Sequence, residues 1–303
     1  MLVATPPPFS RGAPIRHLVE PFMVNLIDAI RRGDTSTVEA LLDTEPRALG
    51  RGDAQGMTPL MWAAWHGHSA LVHLLLGRGA VASVKDARGA TALMLAAERG
   101  HLEAARALEP LASSNERGEA LRYAASSGRI ELVAWLLDEA GAELEYGGAD
   151  GKTPLTCAAL GGHAALAEEL LRRGTNVEAR SSSFLPFENR DDFGWHPLHY
   201  AADRRHVLLV QLLLDAGACV DPETTEGTTP LMISARRGDE DSVRILLRAG
   251  ADPLRENAHH ASALSLSRTS GKPNITRLLE RRVEDRPLAP VLQWPWKPGN
   301  GRN

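Results

Sequence analysis

The chain of 303 residues has few aromatic residues and few cysteines, and these shortages limit what kind of protein it can be. Aromatic residues make up only 5% of it, so alanine and leucine must fill most of the core, as closely stacked helices require. Its two cysteines, Cys157 and Cys219, provide neither a disulfide framework nor the spacing of a metal site. No stretch approaches the ~18 apolar residues of a membrane span. These absences favour a reducing, cytoplasmic setting and no membrane segment.

A strong net charge is also absent. The formal net charge of −4 argues against general nucleic-acid binding by the whole chain. Residues 1–22 are rich in proline, lack helical periodicity and have no long apolar run, which predicts an N-terminal tail instead of a signal peptide. Residues 283–303 combine prolines with Trp294 and Trp296, which predicts a C-terminal tail. The folded domain is therefore expected at 23–282.

The stretch 56–80 shows how this domain is organised. Thr58 and Pro59 mark a helix start, because threonine caps the first turn and proline is preset for the first helical position. Gly67 ends this short helix, and a second helix follows with leucines at helical spacing. Helices this short are marginal alone. The unit therefore needs copies of itself on both sides.

Such copies recur along most of the chain. They are located by the leucine that follows the helix start, with Leu26 in an N-terminal cap. The later equivalents are Leu60, Leu93, Leu121, Leu155, Leu198, Leu231 and Leu264. The steps between these later leucines are 33, 28, 34, 43, 33 and 33 residues, which gives about eight copies including degenerate end caps.

The repeated motif is D-x-x-G-x-T-P-L-x-x-A-A-x-x-G-H, which fits residues 53–68 closely and residues 86–101 with Ala92 in place of proline. This pattern resembles the ankyrin repeat. The resemblance implies an all-α solenoid of stacked helix-turn-helix units with hairpin-like finger turns. The histidine usual after T-P-L survives only as His199; methionine or threonine replaces it elsewhere, so we expect its hydrogen bond to the threonine to be mostly lost.

Two steps depart from the period. Pro110 is expected to stop an outer helix early, and the finger before Leu121 lacks about five residues, which predicts a notch on that edge. The finger before Leu198 is longer by about ten residues. It has four aromatic residues on or beside it, which are Phe184, Phe187, Phe193 and Trp195. These aromatics either form a recognition surface or fold back onto the array.

No group of residues supports catalysis. The sequence has no phosphate-binding glycine loop, no nucleophile elbow and no paired-cysteine zinc pattern. Most of its histidines occupy repeat positions that cap or pack. We therefore expect no enzyme activity, no cofactor and no metal.

Binding remains as the function, and the resemblance implies where it occurs. In ankyrin arrays partners contact the concave side, formed by the fingers and by the two residues before each inter-helix glycine. The arginines at those positions are Arg31, Arg32, Arg99, Arg204, Arg236 and Arg237, and only two carboxylates, Glu98 and Asp203, accompany them. This excess predicts a groove for an acidic partner, unless arginine simply favours exposed helix sites in this chain.

Four further residues are expected to join this groove, namely Trp65 and His66 as an anchor and Gln55 and Met57 on a finger. The sequence therefore predicts a non-catalytic protein-interaction module, acting as scaffold, adaptor or inhibitor and monomeric by itself. The alternative is a polyanion or nucleic-acid binder that uses the same arginines, against which the negative net charge counts.

Overall fold

A computed structural model of the protein describes residues 21–182 and 194–284. This described part contains sixteen α-helices and no β-strand. The helices are α1 (Pro21–Arg32), α2 (Thr35–Thr44), α3 (Pro59–His66), α4 (Ser69–Gly77), α5 (Ala92–Arg99), α6 (Leu102–Leu108), α7 (Ser114–Ser126), α8 (Ile130–Asp138), α9 (Pro154–Gly161), α10 (Ala164–Arg172), α11 (Pro197–Asp203), α12 (Val207–Asp215), α13 (Pro230–Arg237), α14 (Glu240–Arg248), α15 (Ala263–Thr269) and α16 (Pro273–Glu284). Two short 3-10 segments, Pro46–Gly50 and Glu109–Leu111, accompany them.

The helices form eight antiparallel pairs that stack in a row. Each odd-numbered helix packs on the even-numbered helix that follows it and on the next odd-numbered helix. The odd-numbered helices therefore form an inner row and the even-numbered helices an outer row. The predicted all-α solenoid of stacked helix-turn-helix units is confirmed. Helices α1 and α16 each extend two residues beyond the expected domain of 23–282. The remaining residues of the two predicted tails lie outside the described residues.

The inner helices approach closely because their facing residues are small. Ala63 and Ala64 in α3, and Ala96 and Ala97 in α5, are fully buried. Leucines of the outer helices fill the space behind them, and one continuous hydrophobic core runs from α1 to α16. This packing explains how a core forms with so few aromatic residues.

The helix ends follow the capping pattern that the sequence predicts. The Thr58 hydroxyl accepts the backbone N–H of Met61, and Pro59 occupies the first turn. Gly67 ends α3 with a left-handed φ of 74°, and a Cβ there would lie 2.5 Å from the imidazole of His101. Only glycine meets both conditions. The His101 Nε2 in turn lies 3.1 Å from the carbonyl oxygen of Trp65 and so ties neighbouring repeats together.

The expected loss of a hydrogen bond at the replaced histidines is wrong. In three repeats the methionine sulfur accepts the backbone N–H of the capping threonine, a weak bond that sulfur can make. The N···Sδ distances are 3.4 Å for Thr58 and Met61, 3.4 Å for Thr91 and Met94, and 3.5 Å for Thr229 and Met232. Methionine therefore keeps one of the two bonds that histidine makes.

The short step replaces a finger by a longer helix. The outer helix α6 ends at Leu108, and a 3-10 turn containing Pro110 follows. Helix α7 then starts early and reaches 13 residues. Its start is fixed by a capping box in which the Ser113 hydroxyl accepts the N–H of Glu116 and the Glu116 carboxylate accepts the N–H of Ser113. No hairpin-like finger precedes α7, so the neighbouring fingers face each other across a gap.

Candidate partner-binding surface

The predicted arginines lie where the inner helices end. Arg31 and Arg32 occupy the last turn of α1, and Arg236 and Arg237 occupy the last turn of α13. Arg99 ends α5 in the same way. A cation is favourable at this position because the C-terminal end of a helix carries partial negative charge. The six arginines therefore occupy corresponding helix ends along the inner row, and we call them the arginine stripe.

Two arginines of the stripe lie on tryptophan rings. The Arg31 guanidinium carbon is 4.5 Å from the ring centre of Trp62, and that of Arg99 is 4.7 Å from the ring centre of Trp65. Arg31 also forms an ion pair with Asp28 at 3.6 Å. These cation–π contacts hold the guanidinium groups over the tryptophan rings in the N-terminal part of the array.

Two other arginines share one carboxylate. Arg237 Nε donates to Asp203 Oδ1 at 2.7 Å, and Arg204 Nε lies 3.8 Å from Asp203 Oδ2. Asp203 is largely buried at this point. The other carboxylate, Glu98, pairs with Arg88 at 3.9 Å. Both acidic groups that the sequence placed among the arginines are thus already engaged.

Arg32 and Arg236 differ from the rest of the arginine stripe. Both are exposed, and neither makes a salt bridge, a hydrogen bond or a cation–π contact with any residue in the described part of the chain. They lie in the first and seventh inner helices, near opposite ends of the array. Within residues 21–182 and 194–284, they are the two arginines of the stripe whose guanidinium groups have no ion-pair, hydrogen-bond or ring partner.

The predicted anchor residues are less exposed than expected. Trp65 is 8% exposed and Met57 is 4% exposed, so both belong to the core and the expectation that they line a surface is wrong. His66 is partly buried and stacks between Trp62 and His68, with ring-centre distances of 5.8 and 6.1 Å. Burial, and then the charges of His68, Arg31 and Arg99, lower the pKa of His66 to about 4. Its imidazole is therefore neutral at pH 7.

Gln55, the other predicted finger residue, is exposed. Its carbonyl oxygen accepts the N–H of Ala87 from the next finger at 2.9 Å. The finger is shaped by Asp53, whose carboxylate accepts the N–H groups of Gln55 and Met57. The finger edge is therefore held in shape by hydrogen bonds within this turn and to the next one.

The long finger contributes one buried aromatic residue in the described part. Trp195 is 5% exposed and lies 4.9 Å from Tyr200 between ring centres. Together with Ala159, Ala202 and Ile233 it forms a small second core. Trp195 therefore packs onto the array, which is the second of the two alternatives that the sequence left open. Phe184, Phe187 and Phe193 lie outside the described residues.

The gap left by the missing finger is a cavity of about 430 Å³, which we call the notch. Its deepest charged group is Arg122 on α7, which donates to Glu119 at 2.8 Å and to Asp150 at 2.5 Å. Lys85 and Arg88 lie on the finger at one side, and Asp150 belongs to the finger at the other side. The 28-residue step indicated the gap, but no sequence pattern indicated these lining residues.

The described residues show neither a metal cluster nor a membrane helix. Within residues 21–182 and 194–284, no group of three or more histidine, cysteine, aspartate or glutamate side chains is placed to hold a metal ion. No helix in those ranges is both long enough and apolar enough to cross a bilayer.

Comparison with known proteins places this architecture in a family. The model for ankyrin repeats (3 copies) matches residues 24–86, 71–146, 109–181 and 182–257. The probable E3 ubiquitin-protein ligase XBOS32 of Oryza sativa subsp. japonica is 31% identical over 218 residues, or 69% of this chain and 41% of the relative. The E3 ubiquitin-protein ligase XBAT32 of Arabidopsis thaliana is 32% identical over 221 residues, or 69% and 40%.

A shorter match is to the human ankyrin repeat and KH domain-containing protein 1, which is 37% identical over 114 residues, or 38% of this chain and 4% of that protein. The chain thus spans about two fifths of the length of the two ligases. The family model covers most of the chain, and its matches coincide with the stacked helix pairs. The chain therefore belongs to the ankyrin-repeat family.

Proposed function

We propose that this chain is a non-catalytic interaction module, a scaffold, adaptor or inhibitor that holds an acidic partner protein along the arginine stripe and the fingers. Ankyrin repeats generally mediate protein–protein interaction. The observation that carries the specific proposal is the pair Arg32 and Arg236, exposed and unpaired within the described residues at corresponding ends of inner helices. We further propose that the chain is monomeric by itself and cytoplasmic.

The charge of the stripe supports an acidic partner. The chain as a whole is negative, at −4, whereas the free groups of the stripe are positive. Arginine binds carboxylates through two parallel hydrogen bonds and remains charged at any physiological pH. Surface charges of this kind set the association rate and the orientation of a partner more than the final affinity. The proposal therefore predicts binding that weakens as salt is raised.

We propose that this array is not an enzyme, although two of its relatives are named as E3 ubiquitin-protein ligases. The chain matches about two fifths of each ligase. Two arginines of the stripe, Arg31 and Arg99, contact tryptophan rings, and the partly buried His66 is packed between the rings of Trp62 and His68. These side chains are thus occupied by contacts within the array. We propose that the array supplies recognition and that no reaction occurs on it.

Reversing the two free charges is expected to weaken binding. The variant with Arg32→Glu and Arg236→Glu should bind its partner at least ~10-fold more weakly, which corresponds to ~1.4 kcal/mol. The partner is first recovered by affinity capture from native extract at low salt, and its affinity is then measured for each variant. The helical circular-dichroism spectrum should not change, because both side chains are exposed.

A matched control is available outside the arginine stripe. Arg47 and Arg248 are also exposed and make no salt bridge within the described residues, so Arg47→Glu with Arg248→Glu changes the net charge equally. This control should bind as the wild type does. Equal weakening by both variants would show a general charge effect and contradict the stripe. Tight binding of mixed DNA or RNA at physiological salt, lost in the first variant only, would replace the proposal by the polyanion alternative.

A further inference from the structure

Neighbouring fingers are joined by a backbone hydrogen bond that recurs in one register. The N–H of one turn is donated to the carbonyl oxygen at the third position of the preceding turn. The three bonds run from Ala87 to Gln55 at 2.9 Å, from Ser182 to Asp150 at 3.0 Å and from Ala258 to Glu226 at 2.8 Å. Each finger thus presents an acceptor to the finger that follows and a donor to the one that precedes it.

Both halves of this bond are left open at the notch. The carbonyl oxygen of Arg88 is the counterpart of that of Gln55, and the N–H of Ala149 is the counterpart of that of Ala87. Neither group makes a hydrogen bond to any residue in the described part, and both residues are exposed. Unpaired backbone edges of this kind pair readily with an added chain segment.

The space between these two groups is sufficient for a ligand. The cavity of about 430 Å³ lies in the ~300–1,000 Å³ range of ligand pockets. Met94, Tyr123 and Cys157 contribute to its lining, so part of it is apolar. The notch is also too polar to be only a packing defect, because Arg122 spans its depth between two carboxylates.

The charge at the notch favours an acidic occupant. Arg122 and Lys152 pair with Glu119 and Asp150, and Arg88 pairs with Asp86 at 3.3 Å and with Glu98 at 3.9 Å. Lys85 is exposed and makes no salt bridge within the described residues. Among the described residues that line the notch, the Lys85 ammonium is therefore the charged group without an ion-pair partner, and it is positive.

We propose that the notch binds an acidic turn of a partner protein, which takes the place of the missing finger. The turn donates one N–H to the Arg88 carbonyl oxygen, accepts the Ala149 N–H on one of its carbonyl oxygens and places a carboxylate near Lys85. The proposal rests on the proposed function only in requiring a protein partner, because it uses no residue of the arginine stripe.

The chain's own fingers indicate why the occupant is a turn. Asp53 and Asp86 each accept the N–H groups two and four residues further on, and Asn257 does the same. This side-chain cap holds an Asp-x-x-Gly or Asn-x-x-x turn in shape through hydrogen bonds within the turn itself. A turn shaped in advance loses less conformational entropy on binding than a flexible strand does.

The test uses a cyclic peptide that copies the chain's own finger, residues 52–58, as the probe. Binding is followed by the amide chemical shifts of the full chain in two-dimensional NMR. We expect saturable shifts at the Gly89 and Asp150 amides. Ala149→Pro should weaken this binding at least ~5-fold, because proline lacks the N–H and fits the second position of the turn that Gly148 and Gly151 close.

Ala54→Pro is the matched control, since Ala54 holds the same position in the finger that Asp53 and Gly56 close. It should bind the probe as the wild type does. Lys85→Glu, an exposed change that does not disturb packing, should also weaken binding and covers the case in which Ala149→Pro fails to fold. Absence of saturable shifts in the wild type, or equal affinity in the Ala149→Pro and Ala54→Pro variants, would overturn the proposal.

The same variants separate this proposal from the arginine stripe. A captured partner that is lost with Arg32→Glu and Arg236→Glu but kept by Ala149→Pro and Lys85→Glu would remove the notch proposal and leave the proposed function intact. A partner kept by the stripe variant and lost with Ala149→Pro and Lys85→Glu would support the notch alone.

Discussion

Replacing Leu75 by alanine is expected to lower the free energy of unfolding by about 2–5 kcal/mol, the usual cost of deleting a buried leucine side chain. Leu75 lies in α4 and is 0% exposed. Its side chain belongs to the continuous core that joins neighbouring repeats. Because each repeat is stabilised mainly by its neighbours, the cavity left by alanine weakens both the repeat and its contact with the next one.

Chemical denaturation of the two proteins measures this effect, and Leu208 provides the control. Leu208 lies on the outer helix α12 and is 77% exposed, so Leu208→Ala should change stability by less than ~0.5 kcal/mol. A similar loss in both variants would mean that helix propensity dominates over packing in this array. That result would contradict a core held together by packing between neighbouring repeats.

The second large effect is a pH dependence that arises from His199. The ring is fully buried, its Nδ1 accepts the N–H of His196 at 3.1 Å, and its Nε2 lies 3.0 Å from the carbonyl oxygen of Thr228. Nε2 therefore carries the proton and donates. Burial lowers the pKa of His199 to about 3. A second proton would have to enter at Nδ1, where it would meet the N–H of His196.

The unfolded chain binds that proton at an ordinary histidine pKa of about 6.5. Between about pH 6.5 and pH 3 the unfolded state therefore holds more protons than the folded state, so stability falls as pH falls through this window. From pH 7 to pH 4 the expected loss is about 3 kcal/mol from this residue. Well above pH 6.5 the residue is neutral in both states and contributes no pH dependence.

His199→Met isolates this contribution, because methionine occupies the same position in three other repeats of the chain. At pH 7 the variant should be about 1 kcal/mol less stable, since it loses the bond to the Thr228 carbonyl. Its stability should then fall much less than that of the wild type between pH 7 and pH 4. Denaturation curves at both pH values measure the difference. Parallel losses in the two proteins would assign the pH dependence to other groups.

The fold could be predicted from the sequence because each repeat carries its own start and stop residues. Thr58, Pro59 and Gly67 fix one helix by local capping alone, and the recurrence of that pattern then dictates stacking. The short step was also visible, since Pro110 and the 28-residue spacing are both local facts. The helix-capping residues and the repeat spacing were together sufficient to predict the architecture.

The surface could be predicted only in part, because exposure depends on what the next repeat places above a residue. Trp65 lies two residues before the inter-helix Gly67, a position that predicts exposure. In the structure, Arg99 of the following repeat lies over its ring. Arg237 pairs with Asp203, 34 residues away and one repeat earlier. Counting charges along the arginine stripe missed such pairs, because residues one period apart are neighbours in space.

The residues of the notch could not be predicted for a similar reason. The missing finger was evident, but the early start of α7 was not, and that extension puts Glu119 on the helix, where it pairs with Arg122, the partner of Asp150. Gly118 shows how close the approach is, since a Cβ there would lie 2.4 Å from the ring of Tyr146. A length difference reveals a gap but not the side chains that rearrange around it.

The central claim is that this array binds its partner with the inner-row edge and not with the outer helices. Amide hydrogen–deuterium exchange of the chain, alone and with its captured partner, tests this most directly. The account predicts slower exchange in the partner complex at the C-terminal ends of α1 and α13 and along the fingers around Arg88 and Ala149. Protection confined to the outer helices α4, α10, α12 and α14 would contradict it.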